Sequence, residues 1–184
     1  SLLYTSVYPD NVKKLVAIEG LGPSPSMQEK LKEKLIGDRI RDWMGDLRKS
    51  SGRSARRYLT LEDAFQRMQD ENPHLSEAQA RHLTIHGSNQ NEDGTFSWKF
   101  DNYVRFFAFS GLPSNDLKKL WGDIKCPALL VRGVESWASD PVADGRTKYF
   151  NCPIEVEAFE KAGHWVHHDQ LEGFVQRVRT FLAD

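Results

Sequence analysis

The sequence predicts an α/β fold: a small parallel sheet whose chain is interrupted by a long, mostly helical insertion. Three observations carry that prediction. Apolar runs at 15–18, 127–133 and 153–159 read as strands, the first a near-continuous apolar stretch of the kind a sheet covered on both faces requires. Helical patterns fall between and after these runs, and such alternation implies parallel strands with right-handed crossovers. The stretch between the first two runs, about 27–121, is too long to be one crossover and reads as a separate insert.

Composition sets the outer limits. A chain of 184 residues can build one domain with a real core, or a core plus a small insertion. Its 39% hydrophobic and 28% charged residues suit a folded globular chain rather than a disordered one. A net charge of −1 makes no global electrostatic case for nucleic acid or a membrane surface as partner. Cys126 and Cys152 are too few and too far apart for a disulfide framework or a zinc site, and buried thiols are the expectation, although their spacing neither requires nor excludes a bridge. No apolar run reaches the roughly 18 residues of a membrane span, and no signal-peptide pattern is present. The expected location is therefore cytoplasmic.

The elements follow in order. "SLLYTSVYPDNV" looks like the later turns of an amphipathic helix, ended by Pro9. A chain opening part-way through a helix suggests a processed, split or partial polypeptide. "NVKKLVAIEG" (11–20) is the first strand, broken by "LGPSPS". Residues 27–48 carry Leu31, Leu35, Ile40, Trp43, Met44 and Leu47 on one helical stripe. The basic run 48–57 lacks interleaved aromatics and reads as a solvated loop rather than an anion patch. Thr60 with Asp63, and Ser76 with Gln79, mark two helix starts as capping boxes. His82 and His86 share a helix face, a spacing that could bind metal, but no third ligand is in view and a surface pair is expected. Phe96, Trp98 and Phe100 alternate after Asp93-Gly94, a hairpin signal. Tyr103, Phe106, Phe107 and Phe109 form an aromatic cluster suited to a core or to an apolar pocket. Beyond the second strand a helix is expected over 142–149. The third strand and a last helix over 169–182 close the chain.

One residue stands out for chemistry. His164, in "AGHW", follows the third strand by a few positions, and in an open parallel sheet ligands gather at the carboxyl ends of strands. The Ala162-Gly163 pair allows a tight turn there. A general base of this kind needs a carboxylate to orient its ring. Glu19 at the end of the first strand, and Glu135 and Asp140 after the second, all lie at the same sheet edge and stay open as partners. His167 and His168 are better placed to cap or pack.

Taken together, these motifs resemble the C-terminal part of an α/β-hydrolase. "YTSVYPDNVKKLVAIEGLGPSP" resembles the helix after the nucleophile elbow and the next strand. "IKCPALLVRGVES" resembles the strand that often delivers the triad acid, and "AGHWVHHDQLEGFVQRVRTFL" the catalytic-histidine loop and final helix. The resemblance implies a hydrolase core at 1–25 and 122–184, a helical cap or lid at 26–121, and His164 as catalytic base. It implies no metal or organic cofactor.

Two departures shape the expectation. The usual acid position, three residues after the strand glycine, is Ser136. Relatives such as haloalkane dehalogenases place the acid after the earlier strand, which is Glu19 here; Asp140 and Glu135 are the alternatives. The nucleophile elbow G-x-S-x-G occurs nowhere in the chain. The expectation is thus a hydrolase portion acting on a small, apolar, ester-like substrate, with its nucleophile in a companion chain or segment that also covers the exposed sheet edge. A non-catalytic binding protein on the same scaffold, and dehalogenase or epoxide-hydrolase chemistry through an aspartate, are the rival expectations.

Overall fold

The computed structural model describes residues 1–51, 55–101 and 113–183. In chain order its elements are α1 (Leu2–Val7), β1 (Leu15–Ile18), α2 (Pro25–Glu33), α3 (Ile36–Ser51), α4 (Leu61–Glu71), α5 (Glu77–Gly87), β2 (Ser88–Gln90), β3 (Phe96–Trp98), α6 (Ser114–Gly122), β4 (Ala128–Gly133), β5 (Ile154–Phe159), α7 (Val166–Asp169) and α8 (Leu171–Ala183). They divide into two compact units, Ser1–Glu33 with Leu112–Asp184, and Lys34–Gly111.

The first unit holds a parallel three-stranded sheet in the order β1-β4-β5. Leu15 pairs with Ala128, and Ala128 in turn with Ile154. Side chains of β4 alternate between two cores, as the strand period of two demands. Ala128 and Leu130 join Leu15, Ala17, Trp121, Ile124 and Phe150 on one face. Leu129 and Val131 join Ala162, Val166 and Phe181 on the other. Trp121 stacks on Phe150 with ring centroids 5.7 Å apart. Each fully buried side chain of this size contributes roughly 1.5–3 kcal/mol, so the central strand anchors the unit. Because all three strands run the same way, the ends of β1, β4 and β5 open onto one edge.

Two expected elements differ. Over 142–149 the chain forms turns and then a 3-10 segment, Arg146–Tyr149, instead of an α-helix. Asp140 Oδ1 accepts the amides of Val142 (2.8 Å) and Ala143 (3.3 Å), and Gly145 sits at φ +76°, so local hydrogen bonding outcompetes the helix. The buried Arg146 guanidinium fixes these turns, bonding Asp144, the Gly22 carbonyl and Ser139. Burial opposes ionisation of Asp144, but hydrogen bonds from Arg146 and Ser139 outweigh it and hold the carboxyl below its usual range. The single helix expected over 27–48 is two, α2 and α3. The Leu35 carbonyl accepts the amides of both Asp38 and Arg39, restarting the helix there.

In the second unit, both expected capping boxes are made. Thr60 and Asp63 exchange bonds of 2.9 and 3.1 Å, and Ser76 and Gln79 bonds of 3.0 and 3.3 Å. Helices α4 and α5 pack through Phe65, Leu75 and Ala80. Strands β2 and β3 pair antiparallel across the Asp93-Gly94 turn, with Gly94 at φ +81°. Trp98 Nε1 donates to Tyr58 Oη at 3.1 Å. His82 and His86 are exposed neighbours on α5. The cluster of Tyr103, Phe106, Phe107 and Phe109 lies outside the described residues, as does the middle of the basic run; Arg57 at its end pairs with Asp93 at 2.5 Å. No described helix is long and apolar enough to cross a membrane.

Candidate active site

Three loops meet at the carboxyl edge of the sheet. The first is the end of β1. Glu19 donates its amide to the Val131 carbonyl (2.9 Å), then turns at φ +48°, in the left-handed region. That conformation costs a non-glycine residue roughly 1–2 kcal/mol. It takes the chain out of the strand while the Glu19 side chain stays in the sheet edge, where it is 1% exposed.

The second loop follows β4. Gly133 must be glycine here: a Cβ would lie 2.8 Å from the Ala162 carbonyl carbon, and nearer still to the Ala162 and Gly163 oxygens. Every atom in the way is backbone. The absent side chain lets β4 press directly against the third loop, 159–165. That contact is stitched by the Val134 amide to the Phe159 carbonyl (2.9 Å) and the Glu135 amide to the Ala162 carbonyl (3.0 Å). Ala162 is fully buried, and the Gly163 amide donates to Asp169 Oδ2 at 2.8 Å.

His164 leaves this third loop toward Glu19. Its Nδ1 lies 2.5 Å from Glu19 Oε2. The same carboxylate accepts the Gly133 amide at Oε1 (2.8 Å) and the Ser136 hydroxyl at Oε2 (2.6 Å). A buried carboxylate is tolerated only when its lone pairs are met, and here each oxygen is. With its proton on Nδ1 donated to Glu19, the imidazole has a basic Nε2; its side chain is 41% exposed. Trp137, 80% exposed, lays its ring beside the imidazole at 4.8 Å between centroids.

Of the four residues singled out in the sequence, the structure brings His164 and Glu19 together. Asp140 is engaged elsewhere, by the amides of Val142 and Ala143 and by Arg132 at 3.5 Å. Glu135 contributes its amide to the loop contact with Ala162. Ser136, Trp137 and Asp169 were not legible as parts of this site. Only the serine carried a signal, by standing where a carboxylate was expected. His167 packs against His168 and Phe174, with ring centroids at 4.2 and 6.1 Å. Among the described residues, no group of three or more His, Cys, Asp or Glu is placed to hold a metal ion.

The chain shares its fold with solved structures. An esterase of Mycobacterium tuberculosis superposes with a TM-score of 0.72 at 22% identity, over all of this chain and 58% of its own. The fold is that of the α/β-hydrolases. The thioesterase domain of the curacin biosynthetic pathway shares this hydrolase fold at a TM-score of 0.76 and 20% identity, over 96% of this chain and 61% of its own. E-2-(acetamidomethylene)succinate hydrolase matches at 0.68 and 18%, over all of this chain and 62% of its own. The chain thus spans about 60% of the length of these hydrolase-fold structures, consistent with the C-terminal portion of the fold. No protein-family model and no curated protein matches it.

Proposed function

We propose that this chain supplies the base and the acid of an α/β-hydrolase that cleaves a small, apolar, ester-like substrate, with the nucleophile carried by a companion chain or segment. The observation that carries this reading is the 2.5 Å contact between His164 Nδ1 and Glu19 Oε2, made at the carboxyl edge of a parallel sheet. Held this way, His164 would take the proton of an attacking hydroxyl, or of the hydrolytic water, at Nε2. Glu19 would fix the ring and stabilise the imidazolium that forms.

A missing nucleophile is consistent with the rest of the chain. It contains no elbow sequence, and β1 pairs on one side only among the described residues. Leu3, Tyr4, Val7 and Tyr8 on and just after α1 are each about half exposed, an apolar surface suited to further strands and helices. Unit Lys34–Gly111 fits the part of a cap, the variable element of such enzymes. An esterase and a thioesterase domain that share the fold are what favours ester-like chemistry in this reading, since the fold by itself does not choose among the reactions it hosts.

The test uses a fluorophosphonate probe and short-chain p-nitrophenyl esters. The 184-residue chain alone should take up no probe and turn over no ester. Co-purified with its companion segment, it should do both, and His164→Ala should lower turnover by about 10³-fold or more. Stoichiometric labelling of the isolated chain would refute an external nucleophile. Full activity of His164→Ala in the complete assembly would refute His164 as the base, and absence of turnover in the wild-type assembly would refute the hydrolase reading.

A further inference from the structure

We infer that Ser136 is a positioning residue, whose hydroxyl holds the Glu19 carboxylate in the orientation that accepts a hydrogen bond from His164 Nδ1. The inference rests on the reading of Glu19 and His164 as acid and base.

A carboxylate only 1% exposed has no bulk water to orient it, so the protein must. Gly133 grips one oxygen through its amide at 2.8 Å. Held there alone, the group could still swing about that anchor and carry Oε2 away from the imidazole. The Ser136 hydroxyl supplies the second point of attachment, on Oε2 itself at 2.6 Å. Two donors, one per oxygen, fix a planar group where one does not.

The direction of the serine proton is also determined. The Ala138 amide donates to Ser136 Oγ at 3.1 Å, so that oxygen is already an acceptor, and its own proton is free to point at Glu19. A serine serving only to cap its local turn would need the Ala138 contact and nothing more. The bond to Glu19, 117 positions away in the chain, is what that simpler role leaves unexplained. The hydroxyl is moreover neutral. It steadies the acid without placing a second negative charge beside the imidazole, as a carboxylate at this position would. The next residue, Trp137, packs on the His164 ring, so one short loop touches both members of the pair.

The experiment reads the imidazole directly. In the 184-residue chain labelled with ¹⁵N-histidine, long-range ¹H–¹⁵N correlation at alkaline pH, where imidazoles are neutral, reports which ring nitrogen of His164 carries the proton. Ser136→Thr and Ser136→Val have the same shape and differ by one hydroxyl. The wild type and S136T should show the Nδ1–H form. S136V should shift the ratio of Nδ1–H to Nε2–H about tenfold toward Nε2–H, the low end of what a hydrogen bond to a charged group contributes. S136A, which adds no bulk, gives the same comparison if valine prevents folding. An unchanged ratio in S136V or S136A would overturn the role of Ser136 and leave the acid–base pair standing. Loss of the Nδ1–H form in S136T as well would show that shape, not the hydroxyl, is responsible. If the wild type lacks the Nδ1–H form, the pairing of Glu19 with His164 is itself wrong, and the role of Ser136 falls with it.

Discussion

Replacing Gly133 by alanine probes the contact on which the whole site is assembled. The added methyl would sit 2.8 Å from the Ala162 carbonyl carbon, where ordinary contact begins near 3.4 Å. The 162–163 peptide must therefore retreat by more than half an ångström, and it has no flexible end to yield. Retreat strains the Glu135–Ala162 bond (3.0 Å) and the Gly163–Asp169 bond (2.8 Å). Two such bonds are worth about 0.5–1.5 kcal/mol each, and overpacking costs about 1–3 kcal/mol. Against this, alanine reduces unfolded-chain entropy by roughly 0.4–1 kcal/mol. The net expectation is a loss of about 1–5 kcal/mol, combining those terms. Urea unfolding of G133A beside G20A measures it. At Gly20 the nearest obstacle to a Cβ is the Ile18 carbonyl oxygen at 3.7 Å, so G20A should change stability by under about 1 kcal/mol. Equal midpoints for the two variants would refute the claim that backbone contact at Gly133 positions the histidine loop.

Glu19→Gln should fold nearly as well as the wild type, because the amide oxygen can still accept from Gly133 and Ser136 can rotate to accept from the amide nitrogen. His164 Nδ1 would then face a donor, so ¹⁵N spectra should show the proton on Nε2, and turnover in the complete assembly should fall on the order of 10⁴-fold. Arg146→Ala strips four side-chain hydrogen bonds, to Asp144, to the Gly22 carbonyl and twice to Ser139, and leaves Asp144 short of its partner; the expected cost is about 3–5 kcal/mol by urea titration. Acid sensitivity should trace in part to His167. Burial, helped by the neighbouring His168, depresses its pKa below the usual 6.5, with Asp169 opposing. The folded chain then binds fewer protons than the unfolded one, so the contribution of His167 to stability is complete above the unfolded pKa and is lost as pH falls from there through the lower folded pKa. His167→Phe should narrow the gap between urea midpoints measured at about pH 7.5 and about pH 5.5, either side of that pKa.

The strands were legible because a run such as Leu129, Leu130 and Val131 has no stable home outside a doubly covered sheet, and all three are buried. The capping boxes were legible because their bonds close within three residues. The stretch over 142–149 was not: the Asp140 turn that breaks the helix was overlooked, and Arg146, which fixes that turn, reaches back to the Gly22 carbonyl, a contact with no local signature. The site divides along the same line. His164 could be picked from its place after a strand, and Glu19 from a resemblance. The tie between Glu19 and Ser136, the left-handed turn at Glu19 and the pressure of Gly133 on the histidine loop belong to tertiary structure alone.

Glu19 and His164 stand 145 positions apart in the chain, with the second compact unit lying between them. Bringing them together closes a loop whose entropic cost grows only as the logarithm of its length. Doubling the intervening chain would add roughly 0.6 kcal/mol. The Glu19–His164 contact is thus nearly indifferent to the length of chain inserted between its halves. Residues 34–111 can be lengthened, shortened or exchanged at a cost in loop closure smaller than that of one misplaced methyl group at Gly133.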